Sequence, residues 1–97
     1  MKRYHDWLIQ KLNDPEESAE YLNAALEDGD KEMFLVALKN VAEAHGGMAK
    51  LSRKLNLNRP NLYKALSKDG NPEIKTLTRI LNDFGLQLAV VAKPKAA

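Results

Sequence analysis

Apolar residues recur at helical spacing through the middle of the chain. In the stretch "KEMFLVALKNVAEAHGG", five apolar residues follow the i, i+3, i+4, i+7, i+8 order, namely Phe34, Ala37, Leu38, Val41 and Ala42. This order forms a continuous stripe on an α-helix, so the segment predicts a helix whose stripe faces the core. Gly46 follows and predicts the end of that helix, because glycine readily adopts the left-handed conformation found there.

Start signals predict further helices on both sides of this segment. Asp14 precedes Pro15, and a capping carboxylate followed by a first-turn proline is a common helix start. Asp30 is placed to cap the central helix, and Asn71 with Pro72 repeats the start signal nearer the C-terminus. Two short amphipathic stretches lie in between, so the pattern predicts five helices.

The last apolar segment has a different period. In "LQLAVVA" the apolar residues Leu86, Leu88 and Val90 alternate, and the segment is too short for a stable helix, which predicts a β-strand over residues 86–92. A lone strand exposes unpaired backbone groups, and the same strand from a second copy, antiparallel across a twofold axis, satisfies them. We therefore predict a homodimer with these three residues in its interface. A strand docked on its own domain and a frayed tail are the alternatives.

The stretch "MAKLSRKLNLNRPNLYKALSKDG" contains two short amphipathic helices around a tight break. Its inward-facing positions are apolar: Leu51, Leu55, Leu57, Leu62 and Leu66. Asn56 stands where a left-handed residue is needed, and Asn58 and Pro60 suit the start of the second helix. This spacing resembles the helix-turn-helix of the phage repressor and Cro family, although Ser52 stands where that family favours alanine and Asn56 where it favours glycine.

The second helix of this motif presents polar and basic residues on the side away from its leucines. In the family that it resembles, this helix enters the major groove of DNA. Arg59 can pair with guanine and Asn61 with adenine, whereas Lys64 and Lys68 suit phosphates, which position the protein without specifying sequence. N–H groups at the start of the first helix can also hold a phosphate. The predicted DNA-binding residues are Gly47, Met48, Lys50, Arg53, Asn58, Arg59, Asn61, Tyr63, Lys64, Ser67 and Lys68. The alternative is that this surface is only the solvated face of a helix.

The predicted fold class is therefore all-α, a five-helix, lambda-repressor-like helix-turn-helix domain with one C-terminal β-strand that pairs in a homodimer. The domain spans residues 15–92, with the helix-turn-helix at 47–68 and the strand at 86–92. Residues 1–14 form an N-terminal arm or short helix, and residues 93–97 form a loose tail.

Charge is divided unevenly along the chain. The net formal charge of the 97 residues is +2, but residues 1–32 hold nine acidic side chains against four basic ones, a net of −5. Residues 33–97 hold four acidic side chains against eleven basic ones, a net of +7. The basic part favours a polyanionic partner such as DNA, and the acidic part favours a basic one.

Nothing in the sequence predicts catalysis or a cofactor. There is no cysteine, which excludes disulfides and thiolate metal sites, and His5 and His45 are far apart along the chain. "HGGM" lacks the Lys-Ser/Thr ending of a phosphate-binding loop, and no apolar run reaches the ~18 residues of a membrane span. We therefore predict no enzyme, no metal, no cofactor, no small-molecule substrate and no membrane partner.

Three longer phrases carry a resemblance to the bacterial addiction-module antidote family: "YLNAALEDGD", "HGGMAKLSRKLNLNRPNLYKALS" and "GNPEIKTLTRILNDFGLQL". They lie between Tyr21 and Val90. The resemblance implies an antitoxin of a type II toxin–antitoxin pair, encoded beside a small toxin of the RelE-like class. It further implies a cytoplasmic protein that forms a dimer, binds and silences the toxin, and represses its own operon by binding operator DNA.

The acidic N-terminal part is the expected contact for such a toxin. RelE-like toxins are basic because they act on RNA bound to ribosomes, and an acidic surface complements them. In "YHDWLIQKLNDPEE", Tyr4, Trp7 and Leu8 are candidate anchors, since interfaces favour Trp and Tyr. The alternative is that Trp7 packs on the protein's own core. A stand-alone prophage-type repressor without a toxin, and a protein-interaction module that no longer reads DNA, are the alternatives for the whole chain.

Overall fold

The computed structural model describes residues 2–95, and within that range the chain forms six α-helices. They are α1 (Lys2–Lys11), α2 (Pro15–Glu27), α3 (Lys31–Ala44), α4 (Met48–Leu55), α5 (Arg59–Ala65) and α6 (Ile74–Asp83). Helix α3 is central, because α1, α2 and α4 pack against it, while α5 and α6 pack against α4. The α4–α5 pair is therefore joined to the rest of the fold through α3 and α6.

Capping side chains begin α2 and α3 where the sequence predicts them. The Asp14 side chain accepts a hydrogen bond from the Glu16 N–H at 3.1 Å, and Pro15 is the first residue of α2. The Asp30 side chain accepts from the Glu32 N–H at 2.9 Å. Both start signals are confirmed, and each satisfies an N–H group that the first turn of a helix leaves unpaired.

The end of α3 turns the chain sharply into α4. The Gly46 N–H donates to the Glu43 carbonyl oxygen at 3.2 Å, and the Gly47 N–H donates to the Ala42 carbonyl oxygen at 2.8 Å. Gly46 has a φ of 109°, which places it in the left-handed region predicted for this position. These two bonds fix the angle at which α4 leaves the central helix.

One apolar core lies between the helices. Its most deeply buried side chains are Leu12, Leu35, Leu38, Val41, Leu66, Ile80 and Phe84. Leu8 of α1 also belongs to this core, because Leu8 and Leu12 are one helical turn apart and give α1 a buried face. Ser18 of α2 is fully buried as well, and its hydroxyl donates to the Leu12 carbonyl oxygen at 2.8 Å. This bond holds the connection between α1 and α2 against the core.

The prediction of five helices with a C-terminal β-strand is wrong. The structure has six helices in residues 2–95, because α1 is a full helix with a buried face. The same range contains no β-strand, and residues 86–95 have no regular secondary structure. Within the described residues the alternating segment has no second strand beside it, and a strand forms only when its backbone groups pair with a neighbour.

The backbone after α6 is used differently from the predicted strand. The Leu86 N–H donates to the Leu81 carbonyl oxygen at 2.8 Å and completes the end of α6. Leu86 is half-buried against the core, whereas Leu88 and Val90 are exposed. The sequence predicts that residues 86–92 form a β-ladder with a second copy. The structure corrects this prediction, because these residues form an irregular segment that is exposed after Leu86.

The segment after α5 is a turn rather than a continuation of the helix. Helix α5 ends at Ala65 instead of reaching Lys68, and the Gly70 N–H donates to the Ser67 carbonyl oxygen at 2.8 Å. Gly70 folds back so closely that a Cβ atom there would lie 2.0 Å from the Ala65 carbonyl oxygen. Helix α6 begins at Ile74, beyond the proline that the sequence predicts as its start.

Candidate nucleic-acid interface

Helices α4 and α5 are joined by a tight turn built on a left-handed asparagine. Asn56 has φ 54° and ψ 45°, the conformation predicted for it. The Leu57 N–H donates back to the Ser52 carbonyl oxygen at 2.8 Å, and the Asn56 N–H donates to the Arg53 carbonyl oxygen at 3.2 Å. Asparagine tolerates this conformation better than most residues, so the turn forms here without glycine.

The first turn of α5 is held by its own cap. The Asn58 side-chain oxygen accepts from the Asn61 N–H at 3.0 Å. Leu62 and Leu66 anchor the other side of the helix, with 2% and 0% of their surfaces exposed. Asn58 therefore fixes the start of α5, and its amide oxygen already has a backbone donor.

The face of α5 opposite these leucines is open to solvent. Asn61, Tyr63 and Lys64 are exposed, as the helical spacing predicts, and Arg59 is exposed at the N-terminal end of the helix. The Arg59 guanidinium carbon lies 5.8 Å from the centre of the Tyr63 ring, within the range of a cation–π contact. The contact places the Arg59 guanidinium beside the Tyr63 ring, and both side chains remain exposed to solvent.

Two of the predicted DNA-binding residues lie beyond α5. Ser67 and Lys68 belong to the turn that follows the helix, and the Ser67 hydroxyl donates to the Lys64 carbonyl oxygen at 2.7 Å. Ser67 is half-buried and its hydroxyl is used within the chain, whereas Lys68 is exposed. Lys68 therefore has an exposed charge, whereas the Ser67 hydroxyl stabilises the end of α5.

The start of α4 differs in detail from the predicted phosphate site. The Gly47 N–H is already bonded to a carbonyl oxygen of α3, and the Met48 side chain is buried. Of these two residues, only Met48 contributes a free polar group, which is its backbone N–H. Lys50 crosses over the preceding loop, since a Cβ atom at Gly46 would lie 2.5 Å from its Cδ atom. Arg53 is exposed on the same helix. The start of α4 therefore combines unpaired N–H groups with the Lys50 cation, whereas Arg53 lies in the last turn of the helix.

Helix α6 secures the far end of α4. The Arg79 guanidinium donates to the Leu55 carbonyl oxygen, and the Lys54 amino group lies 2.9 Å from the Asp83 carboxylate. Sequence reasoning missed Arg79, and no local pattern marks it, because its partner is 24 residues away. These contacts hold the turn before α5 in place.

A cleft of about 710 Å³ lies between α5 and the start of α6. Asn61 and Lys64 line one side of it, while Asp69 and Glu73 bring carboxylates to the other. Sequence reasoning treats the α5 face as free of acids, and the fold changes that by placing two carboxylates across the cleft. The two carboxylates weaken the attraction of this cleft for a phosphate, and Lys64, which lines the same cleft, partly offsets them.

Charge on the α4–α5 pair has one sign. Between Met48 and Lys68 the chain has six basic side chains and no acidic one. Lys54 is neutralised by Asp83, and the other five, which are Lys50, Arg53, Arg59, Lys64 and Lys68, are exposed. Such a cluster attracts a polyanion, and its attraction weakens as salt is added.

The predicted toxin anchors lie on another part of the fold. Tyr4 and Trp7 of α1 are 66% and 52% exposed, whereas Leu8 is buried beneath them. The three lie together at a second cleft, of about 280 Å³, between α1 and α2. Leu8 therefore lines the inner part of this cleft, and little of its side chain is accessible to a partner.

The part of the chain that the structure describes contains neither a cluster of metal-binding side chains nor a helix that could span a membrane. Within residues 2–95, no three His, Cys, Asp or Glu side chains gather as a metal site requires. In the same part of the chain, no helix combines the length and the apolar character needed to cross a bilayer.

Comparisons with known proteins place the chain in a family. The family model described as "Probable addiction module antidote protein" matches residues 4–92. An uncharacterized protein of Haemophilus influenzae is 36% identical over 83 residues, which cover 86% of this chain and 84% of the relative. No solved structure matches the chain. The family match includes the aromatic residues of α1, the α4–α5 pair and most of the segment after α6. This chain belongs to the family of probable addiction module antidote proteins.

Proposed function

We propose that this protein is a cytoplasmic, DNA-binding antitoxin that neutralises a RelE-like toxin and represses its own operon as a homodimer. The observation that carries the DNA-binding part is the exposed face of α5, where Arg59, Asn61 and Lys64 project from a helix anchored by buried leucines. The membership of an antidote family supports a toxin as the second partner. In this proposal both functions are binding functions, and neither requires catalysis.

Helix α5 acts as the recognition helix of a helix-turn-helix. Arg59 reads guanine through its two parallel N–H donors, and Asn61 reads adenine through its amide. Lys64 and Lys68 contact phosphates on either side, and Lys50 and Arg53 of α4 also contact phosphates. The Tyr63 ring lies beside the Arg59 guanidinium on this face.

A second copy of the chain completes the operator site. Helix α5 has seven residues, and a helix of that length reaches few base pairs. Helix-turn-helix proteins bind two half-sites about 34 Å apart through a twofold dimer. The exposed apolar side chains of Leu88 and Val90 are the surface that we propose for contact between the copies, without a shared β-ladder.

Binding to the protein's own promoter tests the proposal. We would measure fluorescence anisotropy of the upstream promoter fragment and of a scrambled fragment at several salt concentrations, with and without the product of the adjacent gene. Specific binding that the adjacent gene product strengthens or releases is the expected result. Specific binding that it does not affect would leave a stand-alone repressor. Equal binding to both fragments would mean that the α5 face is only a solvated surface.

Arg59→Ala is expected to relax sequence preference. If Arg59 pairs with a guanine, its loss weakens promoter binding by about 1–3 kcal/mol and has little effect on scrambled DNA. Competition binding with operator fragments that are changed one base pair at a time measures the preference. An equal loss of affinity for every fragment would assign Arg59 to the phosphate backbone instead.

Lys64→Ala is expected to weaken binding to every DNA sequence alike. The loss of one phosphate contact lowers the slope of log affinity against log salt by about 1. Lys31→Ala is the matched control, because Lys31 is an exposed lysine on α3, outside the α4–α5 pair. A salt slope that stays unchanged in Lys64→Ala, or that falls equally in the control, removes Lys64 from the phosphate contacts.

A further inference from the structure

The cleft between α1 and α2 has an aromatic rim and acidic walls. The ring centres of Tyr4 and Trp7 lie 5.8 Å apart at its mouth. Glu17 and Glu20 of α2 line the opposite side, and Leu12 forms part of its floor. Both aromatic rings are more than half exposed, although the protein has a core in which such rings are normally buried. We call this the α1–α2 groove.

A cation of the protein itself occupies the groove. The Lys11 amino nitrogen lies 4.9 Å from the centre of the Trp7 ring and 3.1 Å from a carboxylate oxygen of Glu17. An aromatic face and a carboxylate together form a site for a positively charged group. Lys11 is still 46% exposed, and Glu17 is 29% exposed, so the contact is held weakly against water.

We propose that the α1–α2 groove is the docking site for an arginine of the basic toxin, and that Lys11 is the internal stand-in which this arginine displaces. The proposal rests on the proposed function, since it assumes that the second partner is a toxin. Charge complementarity supports it, because residues 1–32 carry a net charge of −5 and a basic partner is drawn to that surface.

Arginine fits the groove better than the resident lysine does. A guanidinium is planar, so it stacks on the Trp7 ring while its N–H groups point at carboxylates. It also donates two parallel hydrogen bonds to one carboxylate, which an ammonium group does not. With Lys11 displaced, Glu17 becomes available to the partner in addition to Glu20. Toxin binding therefore replaces the weakly held Lys11 with an arginine that makes more contacts.

Binding of the adjacent gene product to groove variants tests this assignment. The chain has one tryptophan, so Trp7 fluorescence reports directly on occupation of the groove, and calorimetry gives the affinity. We expect Trp7→Ala to weaken binding about 30-fold, the effect typical of a buried aromatic anchor. Glu17→Gln is expected to weaken binding as well, and Trp7→Phe is expected to retain part of the affinity because it keeps an aromatic face.

Lys11→Met gives the discriminating result. Removal of the stand-in frees the groove, so we expect binding to become about two- to fivefold tighter. Lys31→Met is its matched control, since it removes a lysine outside the groove. Ile74→Ala controls for the loss of an exposed apolar side chain outside the groove, and we expect it to leave toxin binding unchanged. Circular dichroism and promoter binding confirm that each groove variant remains folded.

The possible failures are distinct. If the wild-type chain binds the toxin and Trp7→Ala binds it equally well, the groove assignment is wrong and the antitoxin function stands. If Lys11→Met weakens binding, Lys11 contacts the toxin directly and is not a stand-in. If the wild-type chain does not bind the adjacent gene product at all, the proposed function and the groove assignment both fall.

Discussion

Phe84→Ala is expected to lower the free energy of unfolding by about 3–5 kcal/mol, as large-to-small changes at buried aromatic positions do. The Phe84 side chain is 1% exposed, and its ring centre lies 4.9 Å from that of His45. His45 ends α3 and Phe84 ends α6, so the pair joins two helices that have no other aromatic contact to each other. A domain of this size is stable by only about 5–15 kcal/mol, so this loss is a large share of its total stability.

Urea denaturation followed by circular dichroism measures the loss. Ile74→Ala is the matched control, because Ile74 lies at the start of the same helix and is 75% exposed. We expect the control to change the free energy of unfolding by less than about 0.5 kcal/mol. Comparable losses in the two variants would contradict the assignment of Phe84 to the core.

Gly70→Ala is expected to destabilise the protein by about 1–3 kcal/mol or more, the range for forcing extra atoms into a packed site. The added Cβ atom would lie 2.0 Å from the Ala65 carbonyl oxygen and 2.7 Å from that of Lys64. Because both obstacles are backbone atoms, the end of α5 has to move, and a rotamer change does not relieve the clash. We therefore expect promoter binding to weaken even at temperatures where the variant is folded.

Gly29→Ala separates crowding from backbone strain. Gly29 has a φ of 72°, which alanine adopts poorly, but its Cβ position has no atom within 4 Å. We expect Gly29→Ala to cost about 1–2 kcal/mol and to leave promoter binding unchanged in the folded protein. Thermal unfolding and anisotropy on the two variants measure both effects. If Gly29→Ala impairs DNA binding as much as Gly70→Ala does, the effect of Gly70 is on general stability and not on α5.

Features that depend on near neighbours in the sequence could be predicted. The stripe of α3, the caps at Asp14 and Asp30, and the left-handed Asn56 are each determined by residues within one or two helical turns. The exposed face of α5 follows from the same helical period. The binding roles of its residues remain predictions, because exposure and charge permit DNA contact without establishing it.

Features that depend on distant partners could not be predicted. The alternation after α6 predicts a strand, but strand formation depends on a neighbouring backbone, and residues 2–95 place no strand beside this segment. Arg79 reaches Leu55 across 24 residues, and the carboxylates of Asp69 and Glu73 enter the α5 cleft only through the fold. Leu8 was predicted as a surface anchor, and its burial follows from a contact between α1 and α3 that no local pattern shows.

The helices pack mainly against helices that are close in the sequence, and this determines how quickly the newly synthesised chain folds. Helix α2 packs on α3, α3 on α4 and α4 on α5, and the contacts of α1 with α3 and of α4 with α6 skip only one helix. Helical domains with such short-range contacts fold within about microseconds to milliseconds, whereas a ribosome takes ~50–200 ms to add one residue. We therefore expect each new chain to be folded almost as soon as its last helix leaves the ribosome, so that folding adds little delay between synthesis and binding.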